Sequence, residues 1–143
     1  MGQVRAATAA EDTASMDVTF VAGESYEVVV RGHRIRVDQP PEAGGGDEAP
    51  TPVELFVASL ATCVGFYAGQ YLTRHGLSRD GLGVSVDFRM ASDRPARVAG
   101  VHLSVRAPEG FPPARREGLL AVASHCTVHN SLVTAPEIVI DVR

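Results

Sequence analysis

Two cysteines, Cys63 and Cys126, are the residues of this chain whose chemistry is hardest to dismiss. Cys63 stands inside the apolar run Leu55-Phe56-Val57-Ala58-Ser59-Leu60-Ala61-Thr62-Cys63-Val64-Gly65-Phe66-Tyr67-Ala68, and Cys126 stands in His125-Cys126-Thr127-Val128-His129-Asn130. A thiolate is a strong nucleophile and a soft metal ligand. The pair therefore admits four uses: two buried bystanders, a structural disulfide, half of a metal site, or a redox couple. A separation of 63 positions excludes a CxxC redox turn and a paired CxxC zinc knuckle. Only a fold can bring the two together. The chain opens Met1-Gly2-Gln3-Val4-Arg5 without the apolar stretch of a secretory signal. The expected compartment is the reducing cytoplasm, where a structural disulfide is disfavoured.

A reactive thiol needs nearby positive charge or hydrogen-bond donors to form its thiolate. Cys63 falls about three turns into a helix, too far from the N-terminus for the helix dipole to serve. The cations must come from Arg31, His33, Arg34 and Arg36. On a continuous strand Arg31, His33, Ile35 and Val37 share the more apolar face, so Arg31 and His33 are expected to look inward. Glu54 is the carboxylate that could orient an arginine. At about 100° per residue, however, the step from Glu54 to Cys63 turns roughly 180°, and helix capping accounts for Glu54 equally well. Phe56, Ser59, Leu60, Phe66, Tyr67 and Gln70 share the Cys63 face. They are either core or an apolar pocket with Ser59 and Tyr67 as polar handles. His125, Cys126 and His129 with Cys63 make a rival Cys₂His₂ zinc set. Adjacent His125 and Cys126 do not easily aim at one ion from a regular helix, and no metal or other cofactor is expected.

The elements that must position these residues are legible from periodicity. Residues 1–15 read as a flexible tail. From Asp17 to Asp38 alternating β-branched and polar residues form an antiparallel meander, with breaks at residues 22–25 and near Gly32. Residues 39–51, with Pro40, Pro41, Gly44, Gly45, Gly46 and Pro50, form a surface loop. Thr51, Pro52 and Glu54 then open a helix that runs to about His75. That helix is apolar nearly all round, so it is expected to be buried on more than one side, against a sheet and against a partner helix from a second subunit. Two alternating strands follow, Gly83 to Ala91 and Arg97 to Ala107. A second helix is expected from about Pro112 to Cys126, a short connection from Asn130 to Leu132, and a last strand over Ile138–Val142. The class is α+β. A formal net charge of −4 gives no footprint for nucleic acid, and no apolar run reaches the ~20 residues of a membrane span.

The order β-β-β-α-β-β-α-β, the internal Cys63, the late Cys126 and the motif Pro50-Thr51-Pro52-Val53-Glu54-Leu55-Phe56 together resemble the OsmC/Ohr superfamily. The resemblance covers residues 17 to 142 and implies a single OsmC-like domain over 16–143. It implies an antiparallel sheet wrapped around a long central helix in an intertwined homodimer. It further implies thiol-dependent reduction of organic hydroperoxides in oxidative-stress defence. In that scheme Cys63 attacks the peroxide and becomes a sulfenic acid, Cys126 resolves it as a disulfide, and an external dithiol reduces the pair. Arg31 and Glu54 are the supporting groups, and Phe56, Ser59, Phe66, Tyr67, His33 and His129 the substrate pocket. Val53 stands ten residues before Cys63, where the family's carboxylate is expected, Gly23-Glu24-Ser25 replaces its usual arginine, and Thr127 follows Cys126 where proline is typical. The chain thus resembles a divergent subgroup. The alternative is a non-enzymatic OsmC-like dimer that binds a small hydrophobic ligand at its interface.

Overall fold

The computed structural model describes residues 13–143. Of the expected N-terminal tail, residues 1–12 lie outside the described residues, and 13–15 are exposed without regular structure. The chain forms two compact units, one ending at Pro52 and one running from Val53 to Arg143.

The first unit is a three-stranded antiparallel meander of β1 (Asp17–Ala22), β2 (Ser25–Val30) and β3 (His33–Val37). Its register sets Val18 against Val28, Phe20 against Tyr26, Val28 against Ile35 and Tyr26 against Val37. Because side chains alternate with period two, these residues share one apolar face. Glu27, Arg34 and Arg36 share the other, where both arginines face the Glu27 carboxylate. The inward orientation expected for Arg31 is corrected. Arg31 (φ 49°) and Gly32 (φ 79°) are the two central residues of the hairpin turn, and Val30 pairs directly with His33. Two positive φ values mark a type I′ turn, whose twist matches the flanking strands. Arg31 is therefore exposed at a turn tip and belongs to neither strand face. His33 does lie in the apolar row, but at its exposed end.

The loop after β3 is built around Asp38, which is 2% exposed. Its carboxylate accepts the amides of Gln39 at 2.8 Å and Glu48 at 3.1 Å, while the Asp38 amide donates to Pro50 O at 3.1 Å. A Cβ at Gly45 would sit 1.9 Å from the Gln39 carbonyl oxygen, so the close crossing of the loop admits only glycine there. The amide donors, led by that of Glu48, hold Asp38 below the ordinary carboxylate range, against the opposing effect of burial. A group whose folded pKa is lowered contributes stability above its unfolded value and loses it as pH falls through the folded value. Protection of the amides in residues 39–48, measured against the intrinsic exchange rate at each pH, is accordingly expected to hold at neutral pH and to fall only in acid, below about pH 4. In Asp38→Asn that protection should be low already at neutral pH; equal protection in the two proteins would refute the role.

The second unit begins with α1, whose helical residues run Pro52–Arg74. Of its buried positions, Val57, Leu60, Val64, Ala68 and Tyr71 recur at steps of three and four, which is one helix face, and Gly69 and Leu72 widen it. The helix stops where Gly76 N donates to Thr73 O at 3.1 Å and Leu77 N to Leu72 O at 2.8 Å, the paired bonds of a Schellman end. The hairpin β4 (Gly83–Met90) and β5 (Val98–Arg106) turns Val84, Val86, Val101, Leu103 and Val105 inward and Ser85, Asp87, His102 and Ser104 outward. Two apolar clusters result. Leu60 and Val64 pack with Ala123 and Cys126, and Ala68 and Tyr71 pack with Leu119. By length and composition alone α1 is apolar enough to cross a membrane, a test that a buried core helix also passes. Its packed stripe is that of a core helix.

Two further expectations differ. The second helix is not continuous to Cys126: a 3-10 turn at Pro113–Arg115 leads into α2 (Arg116–Ala123), the chain breaks over Ser124–Cys126, and α3 follows at Thr127–Val133. The Asn130–Leu132 connection is thus helical. No strand forms over Ile138–Val142, whose Ile138, Val139, Ile140 and Val142 are 77–95% exposed. The β-branched composition favours a strand but does not supply the partner edge that a strand needs.

Candidate functional site

Helix geometry places Cys63 at the margin of the buried stripe of α1. Leu60 and Val64 lie roughly 60° and 100° to one side of it, and Ser59 and Phe66 roughly 40° and 60° to the other. The first two are buried, Ser59 is exposed and Phe66 is 54% exposed, so Cys63 is half-buried with an open flank. Ser59 turns its hydroxyl back on the helix, donating to Phe56 O at 2.6 Å, and Phe56 is itself 41% exposed. These residues form an open apolar surface beside Cys63.

Cys126 arrives in the same cluster because α2 is ended by its own polar side chains. Ser124 Oγ donates to Leu120 O at 2.7 Å, and His125 Nδ1 bonds Ala121 O at 2.7 Å. Such local bonds compete with helix propagation. Cys126 then adopts extended dihedrals (φ −71°, ψ 155°) as the N-cap of α3, its Sγ accepting the His129 amide at 3.4 Å. It is 0% exposed, and Cys63 packs against the same apolar cluster. Burial, and then the neighbouring Cys63, push the Cys126 thiol up, against the lowering effect of the His129 amide. The arrangement is thus an accessible thiol backed by a sequestered one in an apolar surround.

The other candidates divide between the units. Tyr67 packs in the thiol cluster, and its hydroxyl meets Thr127 Oγ1 at 2.8 Å; its ring stands edge-on to Phe66 with centroids 5.4 Å apart. His129 donates from Nδ1 to Ser124 O, since a carbonyl can only accept, which fixes the tautomer. With Leu60, Val64, Leu103, Leu120, Ser124 and others, His129 lines a cavity of about 320 Å³ that shares Leu60, Val64 and Ala123 with the thiol cluster. Glu54 is exposed in the first turn of α1, and by helix geometry it faces away from Cys63. Arg31 and His33 are exposed in the first unit. Among the described residues no three His, Cys, Asp or Glu side chains are gathered as a metal site would need. His125 and His129 are instead occupied with backbone carbonyls.

Sequence reasoning missed the Tyr67 to Thr127 pairing, because nothing in spacing announces a bond between hydroxyls sixty residues apart. It also missed Arg74, which lies on the Cys63 face three turns on and lines a second cavity of about 390 Å³ with Tyr67, Gln70 and His125. Counting in steps of 100° along α1 could have found it.

Comparison with known proteins agrees with this architecture. A structure from Psychrobacter arcticus, described as an osmotic stress induced and detoxification response protein, superposes with a TM-score of 0.77 at 24% identity, covering 85% of this chain and 89% of that one. An OsmC-like protein from Mycoplasma pneumoniae gives 0.74 at 13% identity, covering 87% and 90%. An organic hydroperoxide resistance protein OsmC from Legionella pneumophila gives 0.65 at 19% identity, covering 85% and 91%. At these identities the likeness establishes a shared fold, α+β with two antiparallel sheets and a long helix. No curated protein sequence matches the chain. The sequence profile described as OsmC-like protein matches residues 44–141, more than half of the chain. This protein belongs to the OsmC family.

Proposed function

We propose that the protein reduces organic hydroperoxides, with Cys63 as the attacking sulfur and Cys126 as its resolver. The observation that carries this reading is the unequal accessibility of two thiols in one apolar cluster. The Cys63 thiolate attacks the terminal peroxide oxygen, the O–O bond breaks, and the departing alkoxide takes a proton to leave as an alcohol. Cys126 then attacks the sulfur of the Cys63 sulfenic acid, a disulfide forms and water departs. An external dithiol returns both thiols by exchange, which suits a reducing cytoplasm. The apolar cavity and the exposed Phe56 and Phe66 suit a substrate with a hydrocarbon body, and a relative from Legionella is named for organic hydroperoxide resistance.

The working unit in this proposal is a homodimer. The exposed apolar row of β1–β3, the open Phe56 and Phe66 flank of α1 and the bare Ile138–Val142 segment leave more apolar surface uncovered than a monomer ordinarily shows. A second reading, favoured by the cavity, is a non-catalytic binder of small hydrophobic molecules. Cumene hydroperoxide added to the reduced protein separates the two. Peptide mass spectrometry is expected to show a Cys63 to Cys126 disulfide; both thiols unchanged would leave the binding reading standing.

A further inference from the structure

We propose that Tyr67 and Thr127 act as a hydroxyl latch that positions Cys126 against Cys63 for disulfide formation. The inference rests on the proposed pairing of the two cysteines. Thr127 directly follows Cys126 and is the first residue of α3, while Tyr67 lies one turn beyond Cys63 on α1, rotated from it by roughly 40°. Their 2.8 Å bond therefore joins the residue next to one sulfur to the helix face that carries the other.

Cys126 needs such a tie. It sits at the break between α2 and α3, and from the α3 side the His129 amide donates to its Sγ and the Asn130 amide to its carbonyl oxygen at 2.9 Å. Those bonds lie within α3 and its cap, so they travel with it and do not fix its approach to α1. The Tyr67 ring is itself immobilised by packing in the thiol cluster and by its edge-on contact with Phe66, so its hydroxyl is a fixed anchor. A disulfide tolerates only a narrow range of Cβ separation and torsion, so a small pivot of α3 is enough to spoil it. Thr127 is exposed, and its hydroxyl has water as an alternative partner. The latch is accordingly worth a modest factor, up to about tenfold in an equilibrium constant, rather than the fold itself.

The test is the thiol–disulfide equilibrium of the full chain, which needs no peroxidase activity. In glutathione buffers the protein dithiol and glutathione disulfide exchange to give the protein disulfide and two glutathione thiols. Alkylation and mass spectrometry then measure the oxidised fraction. Tyr67→Phe and Thr127→Val are each expected to lower the equilibrium constant about tenfold, a rise of about 30 mV in the two-electron potential. The double variant should fall no further than either single one, and Thr127→Ser, which keeps the hydroxyl, should match the wild type. Unchanged constants in Tyr67→Phe and Thr127→Val, a Thr127→Ser protein as impaired as Thr127→Val, or a wild type that forms no Cys63 to Cys126 disulfide would each overturn the latch. The expected pattern among the variants in glutathione, with hydroperoxide left unconsumed by the wild type, refutes the peroxidase reading and supports the latch. Peroxide consumption with equal disulfide equilibria in every variant does the reverse.

Discussion

Serine in place of Cys63 is expected to reduce hydroperoxide consumption to the uncatalysed rate, whereas serine in place of Cys126 should leave one equivalent consumed per chain. The difference follows from accessibility and acidity. A serine hydroxyl at position 63 is almost wholly protonated at neutral pH, so the strong nucleophile is lost. At position 126 the exchange is nearly isosteric within the apolar cluster, and Cys63 with its open flank is unaltered. Without reductant, Cys126→Ser should therefore stop as a Cys63 sulfenic acid that dimedone traps, while the wild type gives a disulfide and no adduct. Full turnover by Cys63→Ser would sink the assignment. So would a dimedone adduct on Cys126 of the wild type.

The largest expected effect on stability is at Leu72, a 0% exposed side chain of α1 nine residues beyond Cys63. It borders a small void of about 50 Å³ with Leu77, Pro108 and Phe111. Leu72→Ala removes its buried contacts and enlarges that space, so it should cost about 2–5 kcal/mol. For a chain of this size the midpoint should fall by roughly 2–4 °C per kcal/mol. Leu120→Ala, whose side chain is 64% exposed, should cost much less. Calorimetry of the two variants decides the matter, and equal losses would show that burial at Leu72 carries no special weight. The folded fraction of Leu72→Ala should still form its disulfide, because Leu72 is not part of the apolar cluster that holds both thiols.

The strands and α1 were legible because their signals are local: alternation sets β1 to β5, and capping residues with an apolar stripe set α1. The places that misled share a physical cause. Leu119, Leu120, Val122 and Ala123 continue a helical rhythm that Ser124 and His125 end through bonds from their side chains to carbonyls four residues back, and hydropathy does not register those bonds. Cysteine is also outside the usual N-cap residues, so the start of α3 at Cys126 carried no familiar mark. At the C-terminus Ile138–Val142 has a strand's composition without a neighbour to pair with. Of the candidate site, the two cysteines could be named from sequence. The buried Asp38, which organises the glycine-rich loop, and the Tyr67 to Thr127 bond depend on tertiary contacts that no spacing encodes.

The two-residue turn at Arg31 and Gly32 makes the β2–β3 hairpin intolerant of changes in length. Surface loops usually absorb an added residue, but here a single insertion would shift the pairing of β3 by one position. Ile35 and Val37 would then join the face of Glu27, and Arg34 and Arg36 would enter the row of Val18, Phe20, Tyr26 and Val28. Sequence drift at this tip is thereby confined to substitution, and natural variants should differ in which residues occupy the turn while keeping their number at two.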